Sequence, residues 1–453
     1  MERLKKDIEK IRAEVEAIAK AYGLDFFETI FELVSAGELN EIASYGGFPT
    51  RYPHWRFGMD YDHLSKGYTY GFQKIYELVI NNDPCYAYLM STNTLTDQKL
   101  VIAHVFAHCD FFKNNYAFQN TNRKMMDEMA NHASRIRYYI EQFGEEEVES
   151  FLDLCLSIEN LMSVYDPYVF PKYRDQNTEN KIPKTNQKVS DILGFLIDKA
   201  PLPDWQREIL IMVREESYYF SPQRQTKIMN EGWASFWHSK ILTEKALKDK
   251  EVIDFADHHA GTLATQPGSL NPYKLGIEIF RDIEDRWNKG KFGSEYEACD
   301  HLYEKKKWDQ KLGKGLEKIF EVRKIFNDVT FIDEFLTEEL CEKLKLFVYA
   351  YNKRNGTYEI VDRDTQKVKA KLLASLTHFG DPVIVVKEGN FEGQGALLLA
   401  HEHEGVDLKI SDAKETLERI QKIWKKPVYL ETLLNGEHRL LVYDGKEHLE
   451  KAA

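Results

Sequence analysis

His104 and His108 stand four residues apart in Ala103-His104-Val105-Phe106-Ala107-His108. On a helix that spacing projects both imidazoles from one face, a common way of offering two nitrogens to Zn²⁺ at ~2.0–2.1 Å. Zinc in a catalytic site takes a third protein ligand and keeps one position open. Glu231, in Met229-Asn230-Glu231-Gly232-Trp233-Ala234-Ser235-Phe236-Trp237-His238, can supply it. His104, His108 and Glu231 would then form a His₂Glu set, the ligand set of many zinc hydrolases. One residue departs from the hydrolytic pattern. In His-Glu-x-x-His the residue after the first His is the general base, and here it is Val105. Metal binding survives that change, but the usual water-activating carboxylate is absent. Two helix histidines four apart are also ordinary without a metal.

Ser235 and His238 share the stripe of Glu231, each offset from it by roughly 40° or less. A carboxylate and an imidazole on an otherwise apolar helix are costly to bury without partners. Ser235 either orients a ligand imidazole or is a small residue that permits close packing. His238 is open to three readings: a fourth ligand, an acid/base, or a satisfied core histidine. Glu159 and Glu215 are candidates for the missing base, and equally for carboxylates that bridge helices. His132, His258 and His259 are further candidates, while Asp110 and Asn114 leave the ligand face and brace neighbouring loops. His401-Glu402-His403-Glu404 alternates faces if it lies on a strand, so it does not gather ligands. Gly393-Gln394-Gly395 lacks the third Gly of a dinucleotide fingerprint.

These residues need helices to position them. The first histidines fall on one expected from Thr96 to about Asn115, capped by Thr96 with Asp97 in its first turn. Further helices are predicted at about 121–143, 145–162, 189–197, 204–219 and 232–248, the last opened by Glu231, and at 277–287. Leu4, Ile8, Ile11, Val15, Ile18 and Tyr22 mark an N-terminal amphipathic helix stopped by Gly23, which packs on the body of the protein or pairs with a partner helix. Gly46 to Gly58 reads as a long aromatic loop. Beyond about Ile325, short β-branched runs (382–386, 396–400, 428–430, 440–443) alternate with helices near 365–376 and 413–425. The expected organisation is a mainly α core over 1–325 and a small α+β domain over 326–453.

The 453 residues carry a formal charge of −13, and no basic stripe interleaved with aromatics offsets it. That disfavours nucleic acid and anionic membranes as partners. The five cysteines form no Cys-x-x-Cys pair and suit a reducing, cytoplasmic compartment. No apolar run is long enough for a membrane span.

Long strings in this chain resemble the SpoVR family, the stage V sporulation protein R-like proteins. They include Gly47-Phe48-Pro49-Thr50-Arg51-Tyr52-Pro53-His54-Trp55-Arg56-Phe57-Gly58, Asp110-Phe111-Phe112-Lys113-Asn114-Asn115, Met129-Ala130-Asn131-His132-Ala133, Val213-Arg214-Glu215-Glu216 and Met229 to Ser235. The resemblance implies a cytoplasmic bacterial protein tied to the spore cortex, a peptidoglycan layer, or to stress physiology in non-spore-formers. It also implies a shared pathway with a serine protein kinase and a companion protein. Glu231-Gly232-Trp233-Ala234 further resembles the third-ligand segment of gluzincin metallopeptidases. Pro267-Gly268 with Tyr273-Lys274-Leu275-Gly276 is similar to a downstream segment of one helical branch of that group, whose Tyr polarises the scissile carbonyl. That likeness implies zinc on His104, His108 and Glu231, an oxyanion donor at Tyr273, and a gluzincin-like helical domain acting on an amide or peptide-type substrate such as a cell-wall precursor. The other reading is a non-catalytic scaffold or regulatory partner that kept the fold and lost the chemistry.

Overall fold

A computed structural model describes residues 2–69, 77–163, 189–265 and 269–452. As expected the chain is mainly helical, with a small sheet in its C-terminal part. It folds as two compact units, each assembled from separate stretches. The first comprises Met1–Arg51, Trp55–Met129 and Pro222–Thr377, and the second Tyr52–His54, Ala130–Ser221 and His378–Ala453. Residues 326–377 thus fold within the first unit. Among the described residues no helix is long and apolar enough to cross a membrane.

In the first unit the N-terminal helix, Glu2–Ala21, buries Ile8, Ile11, Val15 and Ala19 in the common core. The seam read from the sequence therefore packs on the body. Gly23, at φ +95°, follows the helix end. Behind it lies a sheet that the sequence reading took for helical territory: β1 (Thr29–Val34), β2 (Glu77–Ile80) and β3 (Cys85–Met90), in the order β1-β3-β2. β3 is buried along almost its whole length, so it shows no alternation of apolar and polar residues to betray a strand. A separate hairpin, β4 (Val348–Asn352) with β5 (Thr357–Asp362), was also not anticipated. Trp55 to Gly58, expected in a loop, form the first turn of a helix, Trp55–Thr69.

The helix bearing His104 and His108 runs from Leu95 to Asn114, and Val101 to Phe112 are buried all round, as befits a central helix. Its cap is Thr94, two residues before the expected Thr96. The Thr94 hydroxyl accepts from Asp97 N at 3.1 Å, and the Asp97 carboxylate accepts from Thr94 N at 3.2 Å, a reciprocal capping box. At the other end Asn115 donates to the carbonyls of Arg323 and Phe326 at 2.7 and 2.9 Å, fixing the helix to a distant segment.

The helix bearing Glu231 spans Lys227–Ile241, so Glu231 lies one turn inside it and does not open it. The start is earlier because the cap comes from far away. The Asp328 carboxylate accepts from Ile228 N at 2.8 Å and Met229 N at 2.9 Å, satisfying two orphan donors. The helix bearing Tyr273 spans Pro272–Lys289, five residues earlier than expected, with Asn271 as N-cap and Pro272 in the first turn. These two helices cross at Gly232 and Gly276. A Cβ added to Gly276 would lie 2.6 Å from Gly232 Cα and closer still to the Ile228 carbonyl oxygen, so only hydrogen fits on either side.

The second unit holds a five-stranded sheet in the order β10-β9-β8-β7-β6, comprising β6 (Ile384–Phe391), β7 (Ala396–His401), β8 (Val428–Leu434), β9 (Glu437–Tyr443) and β10 (His448–Ala452). Only β7 and β8 are parallel, and the helix Ile410–Trp424 connects them, burying Leu417, Ile420, Ile423 and Trp424. Except for β10, these elements match the sequence reading closely.

Candidate metal centre

The first unit brings His104, His108 and Glu231 together. Glu231 Oε2 lies 3.6 Å from His104 Nε2 and 3.5 Å from His108 Nε2. The ligand atoms of all three lie within 4.8 Å of one another. Tetrahedral ligands at ~2.0–2.1 Å from zinc stand roughly 3.3–3.4 Å apart, so the spacing suits a shared cation. Glu231 Oε2 is buried and has no hydrogen-bond partner among the described residues.

The surrounding hydrogen bonds say which nitrogens face inward. His108 Nδ1 lies 2.8 Å from Asn230 Oδ1, an acceptor, so Nδ1 carries a proton and the neutral ring turns a lone pair at Nε2 toward Glu231. His104 Nδ1 meets His238 Nδ1 at 2.8 Å, and His238 Nε2 meets His259 Nδ1 at 2.9 Å. With His104 donating from Nδ1, His238 accepts and in turn donates to His259. Each ring then has a fixed tautomer. Three electron-pair donors thus converge on one point, which requires positive charge there, from a proton or from a cation. That donor set, two imidazoles and a carboxylate, is one zinc accepts.

Burial alone would raise the Glu231 carboxyl, but when a proton fills the centre the protonated imidazole that donates to Oε2 outweighs burial and holds it well below the usual carboxylate range. His238 is lowered as well, which for an imidazole means loss of charge. Complete burial, with His104 and His259 beside it, keeps it far below the ordinary histidine value and therefore neutral. His259, at the outer end of the chain, is lowered to about 4, chiefly by burial and then by the charges of Arg281 and Lys274.

Tyr273 stands beside the cluster, its ring centroid 6.3 Å from that of His104 with 26° between the planes. Pro267 and Gly268, the other half of that sequence segment, lie outside the described residues. Both ring nitrogens of His238 are engaged by other histidines, which favours orientation of His104 over direct acid/base work. Ser235 is fully buried and its Oγ has no hydrogen-bond partner among the described residues, which favours the packing reading. Glu215 belongs to the second unit, as does Glu159. There Glu215 Oε2 lies 3.5 Å from His132 Nε2, and His132 Nδ1 meets Glu216 Oε1 at 3.0 Å. The Tyr52 hydroxyl donates to Glu216 at 3.1 Å. His258 pairs with Asp97. His401 ends β7 and meets Thr432 Oγ1 at 2.9 Å.

Sequence reasoning missed Asn230 as an orienting residue, and named His259 as a candidate without joining it to His238. Asn230 had a signal, since it directly precedes Glu231, whereas His259 lies on a different helix, Val252–Thr262. If the centre holds zinc, removing the Asn230 carbonyl should lower its affinity about 10–100-fold, by freeing the His108 ring to rotate or change tautomer. Asn230→Ala against wild type in a competitive chelator titration measures this.

A buried polar knot lies beside the candidate ligands. Asp110, fully buried, accepts from Arg323 Nη1 at 2.6 Å, Trp233 Nε1 at 2.9 Å and Asp25 N at 2.8 Å. Asp110 follows His108 by two residues and Trp233 follows Glu231 by two, so this carboxylate ties together the two helices that carry the candidate ligands. Asn114, as expected, braces a loop, donating to the Asp25 carbonyl at 2.7 Å.

A mainly helical unit with a buried His₂Glu cluster at the meeting of its central helices is the class of protein this structure defines. The chain belongs to the SpoVR family: "SpoVR like protein" matches residues 2–189 and 169–381, and "SpoVR-like C-terminal domain" matches residues 382–435. It is similar to "Uncharacterized protein YcgB" of Escherichia coli (strain K12), with 29% identity over 474 residues that cover 92% of this chain and 90% of that one. No solved structure matches.

Proposed function

We propose that this protein is a zinc-dependent, gluzincin-like hydrolase of an amide or peptide-type bond. The observation that carries this reading is the convergence of His104 Nε2, His108 Nε2 and Glu231 Oε2, spaced 3.5–3.6 Å between imidazole and carboxylate. Zinc, when bound, polarises a carbonyl and acidifies water. Asn230 and His238 hold the ligand imidazoles in the orientation that presents Nε2. The Tyr273 hydroxyl, on a helix locked against that of Glu231, donates to the developing oxyanion. The family name supports a place in sporulation. There the peptides of cortex peptidoglycan offer bonds of the right class, and a serine protein kinase with its companion protein is the partner pathway we propose.

The second reading is a scaffold or regulatory partner. Val105, wholly buried where His-Glu-x-x-His carries its base, favours it. Metal analysis of untagged protein is the first test. The hydrolase reading expects about one equivalent of zinc, lost in His104→Ala and Glu231→Ala. Less than about a tenth of an equivalent, unchanged by His104→Ala, sinks it. If zinc binds but His108→Ala still restores function in cells lacking the natural protein, the scaffold reading stands.

A further inference from the structure

The helix of Tyr273 carries Lys274, Glu278 and Arg281 at spacings of four and three, which places them on one stripe. Glu278, 5% exposed, is shared by three cations. Lys343 Nζ lies 2.7 Å from its Oε2, and Arg281 Nη1 and Lys274 Nζ lie 2.9 and 3.6 Å from its Oε1. One carboxylate cannot neutralise three cations, so the stripe keeps an excess of positive charge in a chain whose net charge is −13. The cationic heads are not sealed in: the Lys274 side chain is 34% exposed, Arg281 41% and Lys343 65%.

The stripe also adjoins the candidate metal centre. Tyr273, next to Lys274, stacks on His104, and Arg281 and Lys274 are close enough to His259 to disfavour its protonation. Burying Glu278 without a cation would be costly, but one cation would satisfy it. The remaining two can turn to an oxyanion: Arg281 Nη1 donates to Glu278 at 2.9 Å and Nη2 to Ser239 Oγ at a long 3.4 Å, and its fork would exchange these for two parallel hydrogen bonds to a carboxylate or phosphate.

We propose that Arg281 and Lys274 receive an anionic oxygen group on the substrate, so that the centre selects amide compounds bearing a carboxylate or phosphate near the scissile bond. This rests on the hydrolase reading for the bond, but not for the anion site, and the test separates the two. Zinc content is measured first. On zinc-loaded full-length protein, succinyl hydroxamate and phosphonoacetohydroxamate are compared with acetohydroxamate by calorimetry. An anionic probe should bind about tenfold or more tightly than the neutral one, a typical effect of a charge-assisted hydrogen bond. Which of the two binds better tells carboxylate from phosphate. In Arg281→Gln/Lys274→Gln the advantage should vanish, with zinc content and acetohydroxamate affinity unchanged.

A second measurement needs no metal. In chelator-treated protein, succinate or phosphate should raise the unfolding temperature beyond sodium chloride of equal ionic strength, and should not do so in the double variant. Equal affinities for all probes, an advantage that survives the double variant, or no anion-specific shift in the stripped protein overturns the proposal. Absence of zinc alone overturns only the hydrolase reading.

Discussion

Gly276→Ala is expected to abolish zinc binding and to destabilise the first unit by about 3 kcal/mol or more, beyond the ordinary cost of an overpacked core. A single methyl does this because of what it meets. Its neighbours are the Gly232 Cα at 2.6 Å, the Gly232 nitrogen at 3.0 Å and, nearer than either, the Ile228 carbonyl oxygen. All are backbone atoms of the opposing helix, so no side chain can swing away. The helices must part, and Glu231 lies one residue from the crossing while Tyr273 lies three from it. Gly232→Ala meets the Gly276 backbone in the same way and should match it. By contrast Gly261→Ala, with nothing within 4 Å of its added Cβ, should leave both properties intact and serves as the control for helix glycines in general. Urea unfolding followed by tryptophan fluorescence reports the stability, since Trp233 and Trp237 are fully buried on the helix that moves.

Much of the candidate centre was legible because its chemistry is local. Two histidines four apart and a carboxylate before a glycine can be read from residue types alone, whereas Tyr273 entered only through the resemblance of its segment to gluzincins. The C-terminal strands were legible for a similar reason, being apolar runs separated by glycine turns. What escaped was whatever depends on residues far apart in the chain. Glu231 was read as opening its helix because nothing near Lys227 caps it, and the cap is Asp328, about a hundred residues downstream. Gly232 and Gly276 each look like isolated helix glycines until the helices are seen to cross. Asp110 meets the loop expectation only through Asp25 N; its other partners, Trp233 and Arg323, lie on distant helices and share no local pattern with it. β3 was missed because a buried strand and a buried helix segment are both continuous apolar runs, and β1 and β2 because these short, largely half-exposed strands show no strict alternation either. The His238–His259 bond likewise joins two helices whose packing no periodicity reveals.

Arg323→Met should cost about 3–5 kcal/mol, the usual price of stranding one member of a buried ion pair. Arg323 and Asp110 have side chains only 4% and 0% exposed, so water cannot replace the lost guanidinium. The loss should depend on pH, and its sign follows from the carboxyl. Burial already pushes Asp110 up to about 6, against the opposing pull of Arg323, Asp25 N and Trp233. A carboxyl raised in the folded state favours folding most when protonated, so its contribution is present below the unfolded value of 3.8 and declines as pH rises through about 6. Without Arg323 that folded value moves higher still and the decline extends to higher pH. The penalty of Arg323→Met should therefore be larger at pH 8 than at pH 5. Adding Asp110→Asn should recover part of the stability and remove the pH dependence, because a neutral amide still accepts from Asp25 N or Trp233 and has no charge to strand. Zinc affinity should follow the same order, highest in the wild type, intermediate in the double variant and lowest in Arg323→Met. A double variant no more stable than Arg323→Met at pH 8 would show that the guanidinium holds the ligand-bearing helices by packing on Trp233 and Phe320, whose rings lie 5.5 and 5.1 Å from it, and not by neutralising Asp110.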